Sequence, residues 1–94
     1  MTIDFRAEVD KRKDALMEDL FGLLRIKSER DDSKVDDKHP FGPGPVKALE
    51  HFLALAERDG YKTRNIDNYA GDFEFGQGDE VLGIFAHLDV VPAG

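Results

Sequence analysis

A histidine and an aspartate lie near the end of the chain, in the order His87-Leu88-Asp89, directly after an apolar run of strand length. Side chains alternate along an extended backbone, so His87 and Asp89 point the same way if strand geometry continues through them. A neutral imidazole binds zinc through one ring nitrogen, and a carboxylate near the other nitrogen fixes the tautomer. The pair could therefore be a metal ligand and its orienting group. Taken alone, the spacing is a weak signal, because a histidine after a strand is more often a hydrogen-bonded structural residue.

The composition limits which ions and reactions are available. The chain of 94 residues contains no cysteine, which excludes disulfides, thiolate zinc sites and a cysteine nucleophile. Any zinc would have to be held by histidine, aspartate or glutamate. The length suffices for one small domain but not for two.

The net charge of −7 is concentrated in the later part of the chain. Residues 1–30 carry seven basic and seven acidic side chains, whereas residues 61–94 carry two basic and six acidic ones. Nucleic acids and anionic membranes require a cationic face, so neither is an expected partner. The N-terminus has no apolar core of signal-peptide length, and no run approaches the roughly 18 apolar residues of a membrane span. We therefore expect a soluble, cytoplasmic protein.

Two helices are predicted in the first sixty residues. Apolar side chains recur at helical spacing over 5–27, with Asp4 as the N-cap, and over 45–59, with Pro45 at the first position and Gly60 just past the end. The predicted buried stripe of the first helix consists of Phe5, Val9, Leu16, Leu20 and Leu23. That of the second helix consists of Val46, Leu49, Leu53 and Ala56. Between the helices, residues 28–44 have no period and are predicted to form a long loop.

Three strands are predicted after the second helix. Residues 61–66 and 69–75 are half-polar and are joined by a turn at Asp67-Asn68. Residues 81–86 are apolar on both faces, which is typical of a strand in the covered middle of a sheet. Ligands in open α/β sheets bind beyond the carboxyl ends of the strands, where His87 would then lie. The predicted fold class is α/β, with two helices followed by three strands in an incomplete domain.

The octamer His87-Leu88-Asp89-Val90-Val91-Pro92-Ala93-Gly94 resembles the first metal-binding motif of the M20 family of zinc aminopeptidases, dipeptidases and deacylases. The resemblance extends upstream across essentially the whole chain, which is similar to the dipeptidase V branch of lactic-acid bacteria. The upstream segments that carry it are Gly44-Pro45-Val46, Arg58-Asp59-Gly60-Tyr61, Asn68-Tyr69-Ala70-Gly71 and Gly78-Asp79-Glu80-Val81-Leu82-Gly83-Ile84.

The resemblance implies roles for two residues and an activity for the complete protein. It implies that His87 is one ligand of a two-zinc centre, that Asp89 orients His87, and that the enzyme is a cytoplasmic dipeptidase. It also implies that residues 1–94 are the N-terminal part of one mixed-sheet zinc-peptidase catalytic domain. The remaining ligands, the general base and the lid domain would lie beyond Gly94. We then expect the chain alone to bind zinc weakly, to hydrolyse nothing, and to need the remainder of its own domain as a partner.

Two other functions remain open. Deacylases and desuccinylases of the same family share the histidine-aspartate spacing and the fold. A small α+β binding or structural domain without chemistry is the second alternative, because the chain is short and offers a single unpaired ligand.

Other candidate residues have simpler interpretations. His51 is predicted to be a boundary residue of the second helix, and His39 a solvated loop residue. Ser28 and Ser33 have no recognisable histidine and base partners, so serine catalysis has no support. An acidic cluster in the loop lacks the glycine and terminal glutamate of a calcium site and is predicted to be solvated. Its members are Asp31, Asp32, Asp36 and Asp37.

Overall fold

A computed structural model describes residues 2–93, in which two helices precede a two-stranded antiparallel sheet. The elements are α1 (Phe5–Leu24), a single 3-10 turn (Asp32–Lys34), α2 (Pro43–Arg58), β1 (Thr63–Ile66) and β2 (Ala70–Phe73). The predicted α/β class and the order of helices before strands are confirmed. The number of strands differs from the predicted three.

The buried core is formed by one face of α2. All four predicted positions of its apolar stripe are buried, and a small neighbour between them adds to it: the buried set is Val46, Ala48, Leu49, Leu53 and Ala56. The four predicted positions recur at intervals of three and four, so they share one face of the helix, and Ala48 lies beside Leu49 at the border of that face. The periodicity of the sequence was sufficient to identify this face.

The helix α2 begins two residues earlier than predicted. The helix begins at Pro43 rather than Pro45, after Gly42, whose φ of +94° is in the region that favours glycine. Both prolines lie in the first turn, where backbone amides have no partner within the helix. At the other end the predicted terminator is confirmed, since Gly60 has φ +95° and the Tyr61 amide donates to the Ala56 carbonyl.

The hairpin of β1 and β2 lies against α2. Asp67 and Asn68 are the central residues of the predicted turn, with φ values of +52° and +65°, and the Tyr69 amide closes it by donating to the Ile66 carbonyl at 2.9 Å. Thr63 pairs with Phe73 and Ile66 with Ala70. The backbone of β2 approaches α2 closely at Gly71, where an added Cβ would lie 2.9 Å from Leu49.

An aromatic cluster covers one end of the contact between the hairpin and α2. The ring of Phe73 lies 6.0 Å from that of Phe52 and 5.1 Å from that of Tyr61. Phe75 also meets Tyr61, at 6.0 Å and nearly perpendicular. These are ordinary separations for attractive aromatic pairs. Phe73 and Phe75 thus both contact Tyr61, although β2 ends at Phe73 and the predicted strand over 69–75 is shorter than expected.

The first helix is present, but its predicted burial is wrong. Asp4 caps α1 as predicted, accepting from the Ala7 amide at 3.1 Å. No residue of α1 is buried, however, and Phe5 is 74% exposed. The helix meets α2 only over part of its length, near Gly22, where an added Cβ would lie 3.0 Å from the His51 ring. The stripe therefore marks a face that the described residues cover incompletely.

A bidentate ion pair joins the two helices at the protein surface. Both terminal nitrogens of Arg58 lie 2.9 Å from the carboxylate oxygens of Asp19. Donation from Arg58 lowers the pKa of Asp19 below its ordinary value. This ion pair joins α1 at Asp19 to the last turn of α2.

The predicted third strand is not formed. Residues 81–86 have the apolar sequence that is typical of a buried strand, but they pair with no other segment among residues 2–93. Ile84 is 87% exposed and Phe85 is 98% exposed. A strand exists only where neighbouring backbones satisfy its amides and carbonyls, and β1 and β2 pair only with each other. His87 consequently follows an exposed extended segment and not the middle of a sheet.

The described residues form an open arrangement. The radius of gyration is 15.9 Å, compared with about 12 Å for a compact domain of this length.

None of the helices within residues 2–93 is both long enough and apolar enough to cross a bilayer.

The Asp19–Arg58 pair should make stability fall in acid. Because the pKa of Asp19 is lowered in the folded state, its contribution is complete above the ordinary value of 3.8 and is lost as pH falls through the lower folded value. We expect Asp19→Asn to lower the urea midpoint at pH 7 but to have little effect at pH 2, measured by circular dichroism. Asp14→Asn, on the same helix and outside the ion pairs described, is the control. An equal loss at both pH values would contradict this assignment.

The exposed apolar segment 81–85 should cause the isolated chain to associate. Unpaired backbone groups flanked by apolar side chains invite pairing with another copy. We expect sedimentation velocity to show oligomers that diminish in Ile84→Lys, since a charge on an unpaired strand opposes pairing. Phe5→Lys, at an exposed apolar position of α1, should leave them unchanged. A wild-type chain that sediments as a monomer and melts cooperatively would refute the expectation.

Candidate functional site

The segment that carries His87 and Asp89 is tied to the loop after α1 by two long-range hydrogen bonds. The Ser28 hydroxyl donates to the Leu88 carbonyl at 3.0 Å, and the Val90 amide donates to the Ser28 carbonyl at 3.3 Å. Glu29 and Val90 form a short parallel bridge beside them. Residues 88–90 therefore run alongside residues 28–29, although the preceding residues 81–85 remain exposed.

The backbone to which this segment is tied is itself pressed against α2. Gly44, in the first turn of that helix, lies so close to Lys27 that an added Cβ would collide with the Lys27 carbonyl oxygen. The same Cβ would lie 3.3 Å from the Glu29 carbonyl oxygen. Nearby, Gly42 leaves room for the backbone of Asp31, whose amide donates to the Phe41 carbonyl at 3.0 Å. Two glycines thus allow the loop to lie directly on the start of α2.

His87 and Asp89 are brought into contact with each other. The Nδ1 atom of His87 lies 3.3 Å from a carboxylate oxygen of Asp89 and 3.1 Å from its main-chain oxygen. A proton on Nδ1 would face both acceptors, which leaves Nε2 as the nitrogen with a free lone pair. The His87 side chain is 84% exposed and that of Asp89 is 59% exposed. The pair is therefore oriented by its backbone and by mutual contact and not by packing.

The other two histidines lie in separate surroundings. The Nδ1 atom of His39 lies 2.8 Å from a carboxylate oxygen of Asp36. This side-chain contact, together with donation from the backbone amides of Lys38 and His39, lowers the pKa of the Asp36 carboxyl. His51 is half-buried between the helices, as predicted for a boundary residue. Among residues 2–93, no three side chains of the metal-binding types converge on one point. The described structure thus offers His87 as an isolated candidate ligand beside one carboxylate.

The acidic cluster of the loop stabilises local turns. Asp31 accepts from the hydroxyl and the amide of Ser33, which lower the pKa of its carboxyl. Asp32 pairs with Arg30 at 2.6 Å. Aspartate side chains commonly cap turns in this way. The prediction that this cluster is a solvated loop feature is confirmed.

Ser28 is the site residue that the sequence did not reveal. Its residue type suggests only a possible nucleophile, and the carbonyl that accepts its hydroxyl proton is 60 residues away in the chain. Its structural signal is burial: with 3% exposure it is the only buried polar side chain in the described range 2–93. A serine after a helix looks the same in sequence whether it is solvated or bonded across the fold.

Comparison with known proteins identifies relatives of this segment. No protein-family model matches the chain. Proteins from Staphylococcus haemolyticus and Staphylococcus aureus (strain USA300) are each 48% identical to it over 90 residues, and one from Staphylococcus saprophyticus is 49% identical over the same length. Each carries the name “putative dipeptidase”. The aligned residues are 96% of this chain but 19% of each relative, so the chain spans about one fifth of the length of the curated relatives it matches.

Gly44→Ala should destabilise the protein even though alanine is the better helix former. The new Cβ would be forced into the Lys27 backbone, and overpacking of this kind costs about 1–3 kcal/mol. We expect a lower urea midpoint, measured by circular dichroism at 222 nm. Gly22→Ala is the matched control, because its Cβ would meet only the movable end of the His51 side chain. A stabilising effect of Gly44→Ala would contradict the close contact.

Proposed function

We propose that this chain is the N-terminal part of a two-zinc dipeptidase of the M20 type, in which His87 is a zinc ligand and Asp89 orients it. The observation that carries the proposal is the identity of about half the residues, over 96% of the chain, with proteins named as dipeptidases. The substrates would be dipeptides or other short peptides. The names of the relatives favour this activity over the deacylase and desuccinylase alternatives.

The local geometry fits one ligand of a zinc site. With Nδ1 of His87 facing Asp89, Nε2 is the atom available to an ion. A carboxylate in this position holds the ring in one tautomer and makes the imidazole a stronger ligand. When bound, zinc supplies Lewis acidity that polarises a carbonyl oxygen and activates water. The exposed position of the ring leaves it accessible to an ion and to further ligands.

The rest of the zinc site would come from residues outside the described range. Zinc in proteins takes about four ligands, and a two-zinc centre needs more together with a general base. The relatives are about five times as long as the aligned segment, which provides ample sequence for these groups. The acidic excess of residues 61–94 would favour the approach of cations. We propose that this chain contributes one ligand and its orienting carboxylate, and that alone it hydrolyses no peptide.

His87→Ala in the complete polypeptide should abolish dipeptide hydrolysis and reduce bound zinc. Loss of a residue that supports a ligand typically costs 10–100-fold in metal affinity or activity, so loss of the ligand itself should cost more than about 100-fold in kcat/KM. Zinc content would be measured by atomic emission and hydrolysis by release of free amino acid. His51→Gln, at the boundary between the helices, is the control and should retain both. Wild-type zinc content and turnover in His87→Ala would refute the proposal.

A further inference from the structure

Ser28 is both buried and hydrogen-bonded to a segment that is distant along the chain. It is the one buried polar side chain among residues 2–93, and its hydroxyl bonds to a residue 60 positions away. A buried hydroxyl is costly unless it is hydrogen-bonded, so the contact with the Leu88 carbonyl is what makes serine acceptable here. The partner lies between His87 and Asp89 in sequence.

We infer that Ser28 is a positioning residue for the His87–Asp89 pair, an inference that rests on the proposed zinc-binding function. The Ser28 hydroxyl holds the carbonyl of the peptide unit before Asp89, and the Ser28 carbonyl holds the amide of the peptide unit after it. With both flanking peptide planes fixed, the backbone dihedral angles of Asp89 have little freedom.

Fixing Asp89 also fixes His87. Both oxygens that contact Nδ1 of His87 belong to Asp89, one in its main chain and one in its carboxylate. Neither side chain is enclosed by neighbours, since each is more than half exposed. The two hydrogen bonds that join Ser28 to the backbone of Leu88 and Val90 are therefore the constraint that directs the free nitrogen of the ring. A ligand held in advance binds an ion more tightly, because less conformational freedom is lost on binding.

The loop that carries Ser28 is packed against the helix that forms the core. The backbone of residues 27–29 lies against the first turn of α2 at Gly44. That helix supplies the whole buried core of the described residues. The backbone that carries His87 is thereby connected through residues 27–29 to the helix that forms the core, although the His87 ring itself is on the surface.

Ser28→Ala tests the inference through zinc affinity. It should weaken zinc binding by the complete polypeptide about tenfold, the lower end of the range for groups that support a ligand. The zinc dissociation constant would be measured by chelator competition at a temperature where circular dichroism shows every variant folded. Ser33→Ala is the matched control, because its hydroxyl bonds only within the loop, to Asp31. Ser28→Thr, which keeps the donor, should remain within about threefold of wild type. A purely structural serine would lower the melting temperature without changing the zinc affinity of the folded protein.

Hydrogen exchange gives a second readout that needs no zinc. In the complete polypeptide freed of metal by a chelator, Ser28→Ala should speed exchange of the Val90 amide about tenfold, which corresponds to the loss of about 1.4 kcal/mol of local stability. If Ser28→Ala does not fold, Ser28→Cys, of similar size but a weak donor, replaces it in both measurements and should show a smaller loss in the same direction.

The two proposals fail in different ways. A wild-type polypeptide without zinc would overturn the proposed function and the zinc part of this inference together. Wild-type zinc affinity in Ser28→Ala, in a protein that does bind zinc, would overturn only the inference. An equal loss in Ser33→Ala would also overturn it, because the effect would then not depend on the bond to Leu88.

Discussion

The backbone of residues 27–29 is held between two partners, and this contact connects the core of the protein to its candidate site. On one side it lies against the first turn of α2, where only a residue without a Cβ fits at Gly44. On the other side it bonds to residues 88–90 through Ser28. The chain is thus arranged in three layers at this point, from helix to loop to the segment that carries His87. The contact with α2 is between main chains, whereas the contact with residues 88–90 uses both the main chain and the side-chain hydroxyl of Ser28.

The stability of the described residues is unevenly distributed. Five buried apolar residues all belong to α2, and the hairpin adds an aromatic cluster at its edge. By contrast, no residue of α1 is fully buried, and residues 81–85 expose large apolar side chains. Apolar area left in water contributes no hydrophobic stabilisation and favours contact with other surfaces. The protein therefore combines a small packed centre with two apolar surfaces available for further burial.

The chemistry of the site follows from this architecture. A single imidazole, oriented by the oxygens of Asp89, lies at the surface beside a segment fixed through its backbone. Such a group can donate one bond to an ion but cannot by itself enclose one. Similarity to longer proteins named as dipeptidases supplies the context in which one oriented ligand is useful. The inferred role of Ser28 adds that the orientation originates in the core.

The features that the sequence identified are those that depend on neighbours along the chain. Helical periodicity predicted the buried face of α2, and the residue types of Asp67 and Asn68 predicted the hairpin turn. Asp4 and Gly60 predicted one end of each helix. The spacing of His87 and Asp89 put a carboxylate within reach of the imidazole, and the two side chains are in contact in the structure, although the strand expected to present them is not formed.

Features that depend on distant segments could not be read in this way. Apolar character predicted burial of α1 and a strand at 81–86, but burial and strand pairing require partners that these residues do not meet within 2–93. The role of Ser28 was equally hidden, since a hydroxyl can bond to water or to a carbonyl 60 residues away with the same sequence. Local patterns determined which backbone shapes were favourable. Contacts across the fold determined which of the apolar and polar side chains left water, because burial depends on what lies opposite each residue in space.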